Sequence, residues 1–193
     1  MQPITRSEVR SLEDYEVLRA DFRQHIRGVK EARRVVVGDA IALTFENRET
    51  ALYQIQEMLR TERIFEPHRI QEEIDIYNEL VPGANELVAT LFIEIGDMAE
   101  LRRRLPALVN VEHAVWLDVG PHRIHGRAEG GRSTEETTST VHYLRFAVEP
   151  AAAAALRDAS QPARLRIEHP HYQAAAGLSP ATRQALADDL ATP

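Results

Sequence analysis

The chain has 193 residues, of which 44% are hydrophobic and 27% are charged, an ordinary composition for a folded globular protein. Because it contains no cysteine, disulfide bonds, thiolate metal sites and cysteine nucleophiles are excluded. The net charge of −7 argues against a nucleic-acid binder, and without a long apolar run or a signal-peptide core the chain is predicted to be cytoplasmic, with no membrane partner.

The first predicted element is a long helix from about Ser11 to Arg33. Ser11 with Asp14 resembles a capping box in which an aspartate replaces the usual glutamate. Apolar side chains then recur at steps of three and four residues and therefore share one face of the helix: Tyr15, Leu18, Phe22, Ile26 and Val29. This stripe predicts a helix that packs on a core with one side.

Two strands joined by a tight turn are predicted next. Val35–Val37 and Ala40–Glu46 have strand-like sequences, and Gly38-Asp39 suits a two-residue hairpin turn. Because side chains alternate along a strand, the second strand has an apolar face and a face of small or polar residues: Ile41, Leu43 and Phe45 on the first, and Ala42, Thr44 and Glu46 on the second.

A second helix is predicted from an N-cap at Asn47 to about Arg63. At about 100° per residue, its buried arc is formed by five residues: Ala51, Leu52, Ile55, Met58 and Leu59. Glu57 points away from this arc, whereas Glu62 falls within it and is expected to point at the core. A carboxylate in an apolar arc is costly unless it is paired or binds a cation. The alternative is that Glu62 pairs with an arginine or lies beyond the helix end.

The rest of the chain alternates between helices and strands. We predict a helix over residues 68–81, a central strand over 87–95 and a helix from Asp97 to Leu105. A meander of three strands follows, with a polar loop at 129–139 before its last strand: His113–Val119, Arg123–Ala128 and Ser139–Val148. The C-terminal part is predicted to form a helix Pro150–Arg157, a final strand Ala163–Glu168 and a helix Pro180–Leu190. The chain is therefore predicted to form one α+β domain over residues 1–193, a mostly antiparallel sheet packed with a long N-terminal helix, a central helix pair and a C-terminal helix.

The sequence carries no complete catalytic, nucleotide or metal signature. The sequence has no P-loop, dinucleotide fingerprint, nucleophile elbow or HExxH zinc motif. His122 and His125 are three residues apart in a strand and so point to opposite faces, which makes them a poor metal pair. His142 alternates with Leu144 and Phe146, so we expect a buried imidazole that is hydrogen-bonded to a carboxylate or an amide.

A dispersed set of polar residues is the strongest candidate site. Carboxylates from two helices and a strand, together with an imidazole, could bind iron, manganese or zinc: Glu46, Glu57, Glu62, Glu73 and His142. Hard oxygen donors with a borderline imidazole suit iron or manganese better than copper(I). Glu57 and Glu62 project about 140° apart on a helix, and this favours Glu62 as the ligand. The alternative is a structural Glu–Arg–His hydrogen-bond network.

Five sequence blocks spread over nearly the whole chain carry a family resemblance: FENRETALYQIQEMLRTERI, EIDIYNELVP, ATLFIEI, TSTVHYLRF and LRIEHPHY. They resemble a bacterial family labelled Domain of Unknown Function 3501. The resemblance implies no established activity and identifies no catalytic residue. It implies genes that lie beside rubrerythrin-like proteins and iron–sulfur oxidoreductases, and hence a role in redox or peroxide metabolism.

Two classes of function therefore follow from the sequence. The first is a binding or accessory protein that serves a rubrerythrin-like or iron–sulfur oxidoreductase partner and holds a metal ion through glutamates and His142. The second is a small enzyme, either metal-dependent or using Glu57 or Glu62 as a general base with His142 as its acid or orienting group.

Overall fold

An eight-stranded antiparallel sheet forms the centre of the computed structural model, which describes residues 1–130, 133–134 and 136–191. Residues 131–132 and 135 of the predicted polar loop lie outside the described residues. The strands follow the order β1-β2-β3-β6-β5-β4-β7-β8 across the sheet. Their bounds are Arg34–Val37 (β1), Ile41–Glu46 (β2), Glu86–Ile93 (β3), Val115–Val119 (β4), His122–Ala128 (β5), Val141–Ala147 (β6), Ala163–His169 (β7) and Tyr172–Gly177 (β8).

Among the described residues, the α-helices begin either after a residue whose side chain caps the first turn or, for Pro67–Asn78 and Pro150–Arg157, at a proline. They are Leu12–Glu31 (α1), Arg48–Glu62 (α2), Pro67–Asn78 (α3), Met98–Arg104 (α4), Pro150–Arg157 (α5) and Pro180–Asp189 (α6). The side chains of Ser11 and Asn47 accept backbone N–H groups in the first turns of α1 and α2, as predicted. Among the described residues, no helix has the length and apolar character needed to cross a membrane.

The sheet curls into a nearly closed barrel, so that β8 approaches β1. The hydroxyl of Tyr172 on β8 donates to the carbonyl of Val37 (2.6 Å) and accepts the backbone N–H of Ala40 (3.0 Å). Both partners flank the turn that joins β1 to β2. Gly38 in this turn has φ of +79°, and a Cβ there would lie 2.4 Å from the Tyr172 oxygen. Glycine is therefore required both by the turn and by the approach of β8.

The two faces of the sheet have different surroundings. The inner face holds the main apolar core, in which Phe45 and Phe146 pack with ring centroids 6.0 Å apart. Over β2 and β3 the outer face is covered, because α2 and α3 contribute Ile55, Leu59 and Ile74 to a second cluster that contains Val88. Burial of each such aliphatic side chain contributes about 1.5–3 kcal/mol.

The sequence prediction of an α+β fold with a mostly antiparallel sheet is confirmed. The hairpin of β1 and β2 is confirmed, and β3 is buried on nearly every residue, as expected for a central strand. The strand predicted at Ala163–Glu168 is present as β7, but the prediction that it is the last strand was wrong, because the chain turns at Pro170 and adds β8. The alanine-rich sequence of β8 has little strand propensity of its own, and its conformation depends on pairing with β7.

Candidate ligand-binding cleft

The junction of β2 and α2 fixes the position of Glu46. Glu46 is the last residue of β2, and the next residue, Asn47, caps α2. The Asn47 side chain accepts the N–H of Thr50 (3.0 Å), while the Thr50 hydroxyl accepts the N–H of Asn47 (2.9 Å). This reciprocal cap prevents the chain from rotating at the junction. The Glu46 side chain is therefore held on the outer face of the sheet.

The Glu46 carboxylate is buried and bound by two hydroxyl groups. Thr50 donates to one oxygen (2.5 Å) and Thr90 on β3 donates to the other (2.6 Å), and only 3% of Glu46 is exposed. Within the described part of the chain, no basic side chain forms an ion pair with it. Burying a carboxylate without a positive partner is unfavourable. The two hydroxyls reduce this cost but leave the oxygens able to accept further bonds.

A cleft of about 550 Å³ opens above Glu46, between the C-terminal half of α1 and the outer face of β2 and β3. We call it the Glu46 cleft. Its lining combines three basic, three acidic and two uncharged side chains: Arg27, Lys30 and Arg34, Glu31, Glu46 and Glu94, and Thr44 and Phe92. Its volume lies within the range of small-molecule sites in proteins.

The basic groups of the cleft differ in how they are paired. Arg34 is ion-paired with Glu94 at 2.5 Å in the lining of the cleft. Among the described residues, neither Arg27 nor Lys30 forms an ion pair, and the Lys30 ammonium lies 5.3 Å from the centre of the Tyr53 ring. The cleft therefore has a carboxylate at its floor and, on the side formed by α1, two available positive charges together with the carboxylate of Glu31.

Glu57, the second predicted ligand, joins α1 to α2. It accepts a hydrogen bond from the Tyr15 hydroxyl (2.8 Å) and two from the Arg19 guanidinium (2.7 and 2.9 Å). The hydrogen bonds from Arg19, with a further one from Tyr15, lower the pKa of Glu57 to about 2, although partial burial opposes the change. Glu57 is thus a carboxylate that is paired between two helices.

The expectation that Glu62 points at the core was wrong. Its side chain is 51% exposed and lies 3.9 Å from Arg69. The physical reason is that α2 ends at Glu62, where Arg63 adopts a left-handed conformation (φ 53°). Glu73 on α3 lies near it, and partial burial together with the charge of Glu62 raises the pKa of Glu73.

His142 is completely buried, as predicted. Its Nε2 atom lies 2.9 Å from both the Thr138 hydroxyl and the Ser139 carbonyl oxygen. A carboxylate that the sequence interpretation missed, Glu112, lies 3.8 Å from Nδ1 and accepts the Ser133 hydroxyl at 2.5 Å. No local sequence signal marks Glu112, since it lies in a short 3₁₀ turn.

The structure does not bring the five predicted ligands together. His142 is opposite Leu91 and faces the inner core, whereas Glu46 faces outward, so the sheet itself separates them. Glu57 binds α1, and Glu62 and Glu73 lie on the surface of α2 and α3. In the described ranges, no three acidic or histidine side chains form a group that could hold a metal ion. Of the five, Glu46 lines the Glu46 cleft.

Two comparisons with known proteins give matches. The family described as "Protein of unknown function (DUF3501)" matches residues 3–190. A crystal structure described as a novel protein of unknown function from Burkholderia pseudomallei K96243 is 37% identical, with a TM-score of 0.91. That match covers 98% of this chain and 100% of the other. No curated protein matches the chain.

Proposed function

The chain belongs to the family of proteins of unknown function DUF3501, and we propose that it is a cytoplasmic accessory protein that binds a small ligand in the Glu46 cleft. The proposal rests on the burial of Glu46 and on the kind of partners that its carboxylate has. Glu46 is a buried carboxylate at the floor of a cleft of about 550 Å³, and among the described residues it has hydroxyl partners but no positive partner. A ligand that brings a positive group would supply the missing charge.

The chemistry of the floor favours an ammonium or amidinium group on the ligand. Hydrogen bonds between ionised groups are about twice as strong as those between neutral groups. Because Glu46 is shielded from water, its attraction for a positive group is screened less than that of an exposed glutamate. The hydroxyls of Thr50 and Thr90 already orient both carboxylate oxygens, so little ordering is needed when a ligand binds.

The opposite side of the cleft favours a negative group on the same ligand. Arg27 and Lys30 lie on α1, and neither is ion-paired within the described part of the chain. Arg34 is already bound to Glu94. A small zwitterion, with an amine at one end and a carboxylate or phosphate at the other, fits this arrangement of charges. Phe92 offers apolar contact for the segment between the two charged groups.

Binding is better supported than acid–base catalysis. The lining of the Glu46 cleft includes neither a histidine nor a second buried carboxylate that could share a proton with Glu46. Glu112 and His142 do form a close carboxylate–imidazole pair, but His142 is fully buried in the inner core. A substrate would have to enter that core to reach it. The enzymatic alternative is therefore less favoured.

A role in redox metabolism and the binding of iron or manganese remain predictions from the sequence. A rubrerythrin-like or iron–sulfur oxidoreductase partner follows from the family resemblance, and co-purification from the native organism at native expression is its test. Recovery of neither partner would leave that prediction without support. For iron or manganese, Glu46 is the only one of the five predicted ligands that lines the cleft. Elemental analysis of protein from metal-replete cells tests this prediction separately.

The ligand proposal can be tested at Lys30, the only lysine in the chain. Reductive methylation labels this side chain for NMR and keeps its positive charge. We would titrate three probes that each have four carbon atoms: γ-aminobutyrate, butylamine and butyrate. The proposal predicts that γ-aminobutyrate shifts the Lys30 methyl signal and binds about ten-fold more tightly than either singly charged probe. Equal affinities, or no shift with any probe, would contradict it.

A matched variant separates the cleft from general surface charge. Glu62→Gln removes an exposed glutamate at the far end of α2, outside the cleft. This variant should bind γ-aminobutyrate as the unmodified sequence does. A loss of affinity in Glu62→Gln would show that the titration reports the net charge of the protein rather than a site.

A further inference from the structure

The outer surface of the sheet continues from the helix-covered strands onto β5, β4 and β7, where the outward side chains are partly or fully exposed to solvent. The strand register arranges six of these side chains in two rows of three. One row is Arg164, Asp118 and Arg123, and the other is Arg166, Trp116 and His125. We call these six residues the arginine face.

The arginine face is ordered by contacts among its own side chains. Asp118 lies near three arginines, with the closest nitrogen–oxygen distances at 2.9 Å for Arg166, 3.3 Å for Arg164 and 3.6 Å for Arg123. The Arg123 guanidinium also lies over the Trp116 ring, 4.5 Å from its centre. Such cation–π contact restricts both groups. The face therefore presents positive charge in a defined geometry.

Positive charge on this surface exceeds negative charge. Four outward arginines, which are Arg123, Arg127, Arg164 and Arg166, are accompanied by two carboxylates, Asp118 and Glu168. This local excess contrasts with the net charge of −7 for the whole chain. A positive patch on an acidic protein attracts negative partners locally while the remainder of the molecule repels them, which orients the approach.

We propose that the arginine face docks a partner protein through an acidic surface. Arginine and tryptophan are the residue types enriched in protein interfaces and in their energetic centres, and Trp116 lies at the middle of its row. The charge of the face selects an acidic partner. A nucleic acid fits less well, because its affinity depends on phosphate neutralisation and the chain as a whole is acidic. The inference is independent of the Glu46 cleft.

The fluorescence of Trp116 tests the docking surface directly, because it is the only tryptophan in the chain. Poly-L-glutamate serves as the acidic polypeptide probe, and acrylamide quenching reports how accessible the ring is. We expect the probe to protect Trp116 from acrylamide, with protection that weakens as salt is added. No protection by poly-L-glutamate at low salt would overturn the proposal. Tighter binding of an oligothymidylate would also overturn it, in favour of nucleic acid.

Paired variants show whether the arginines carry the effect. Arg164→Gln combined with Arg166→Gln should weaken the protection at least about ten-fold. Arg102→Gln combined with Arg103→Gln removes two exposed arginines from α4 and should leave it unchanged. Equal losses in both pairs would overturn the assignment to this face. Protection of Trp116 by concentrating the protein alone would do so as well, because the occupant would then be a second copy of the chain.

Discussion

Two carboxylates on the outer surface of the sheet, Glu46 and Asp118, have charges that are accommodated in opposite ways. Glu46 on β2 is covered by helices and is bound by the hydroxyls of Thr50 and Thr90. The Asp118 side chain on β4 is 15% exposed and lies among three arginines that are 29–50% exposed. The covered carboxylate therefore keeps an unbalanced charge beside a cleft, whereas the open carboxylate is already neutralised.

This difference indicates where each half of the sheet can interact. Near Glu46 the unbalanced charge of the carboxylate lies inside a cleft, so the site selects a small ligand. Near Asp118 the surplus charge is on the arginines and faces solvent, so the site selects another surface. The covered half and the open half of the sheet would thus serve two different kinds of partner.

The largest change in the free energy of unfolding is expected for a substitution in the covered half of the sheet. Thr90→Val keeps the shape of the side chain but removes the hydroxyl that donates to Glu46. A buried charged acceptor is then left with one fewer donor, and the free energy of unfolding should fall by about 2–3 kcal/mol. Urea denaturation measures this change. Thr90→Ser keeps the hydroxyl and should cost less than about 1 kcal/mol. Equal losses in the two variants would show that the hydrogen bond to Glu46 contributes little.

A third carboxylate, Glu57, extends the comparison because it is buried in part and paired with an arginine. Its pKa of about 2 in the folded protein lies below the ordinary value of 4.5. A lowered folded pKa gives stability that is complete above the ordinary value and is lost as the pH falls towards 2. Between about pH 6 and pH 3 we expect this pair to lose on the order of 1–2 kcal/mol. The contribution of the Arg19–Glu57 pair is obtained from the difference in unfolding free energy between the original sequence and Arg19→Gln, measured across that pH range. A difference that does not change with pH would contradict the assignment.

The smallest change in the free energy of unfolding is expected for a substitution in the open half of the sheet. Asp118→Asn removes the charge shared by three arginines, but these groups remain partly hydrated. The three arginines keep 29–50% of their side chains exposed and can be hydrated when the charge of Asp118 is removed, so the free energy of unfolding should fall by no more than about 1 kcal/mol. Chemical denaturation at low and high salt measures it, and added salt should reduce the loss. A loss as large as that of Thr90→Val would remove the distinction between the two halves.

Local features of the fold could be predicted from the sequence because they depend on near neighbours. The caps at Ser11 and Asn47, the alternation along β2 and the burial of His142 all follow from short-range rules. β8 was missed because its alanines have weak strand propensity, and only pairing with β7 makes it a strand. Glu62 was misplaced because periodicity assumes a helix that continues.

The candidate site could be predicted only in part. Glu46 was singled out by its place at the end of β2, but its partners come from distant segments. Thr90 is 44 residues away in the sequence, and Arg27 and Lys30 face the cleft only because α1 folds back over the sheet. His142 was grouped with Glu46 because strand alternation gives the face of each residue within its own strand, and not whether two strands share that face.

The central claim is that the unbalanced charge of Glu46 selects the ligand, and Glu46→Gln tests it most directly. This variant keeps the size of the side chain and removes its charge. We would measure the affinities of γ-aminobutyrate and butyrate through the methylated Lys30 signal, before and after the substitution. The account predicts that the roughly ten-fold preference for γ-aminobutyrate disappears, while butyrate binds as before or more tightly. A preference that survives in Glu46→Gln would contradict the account.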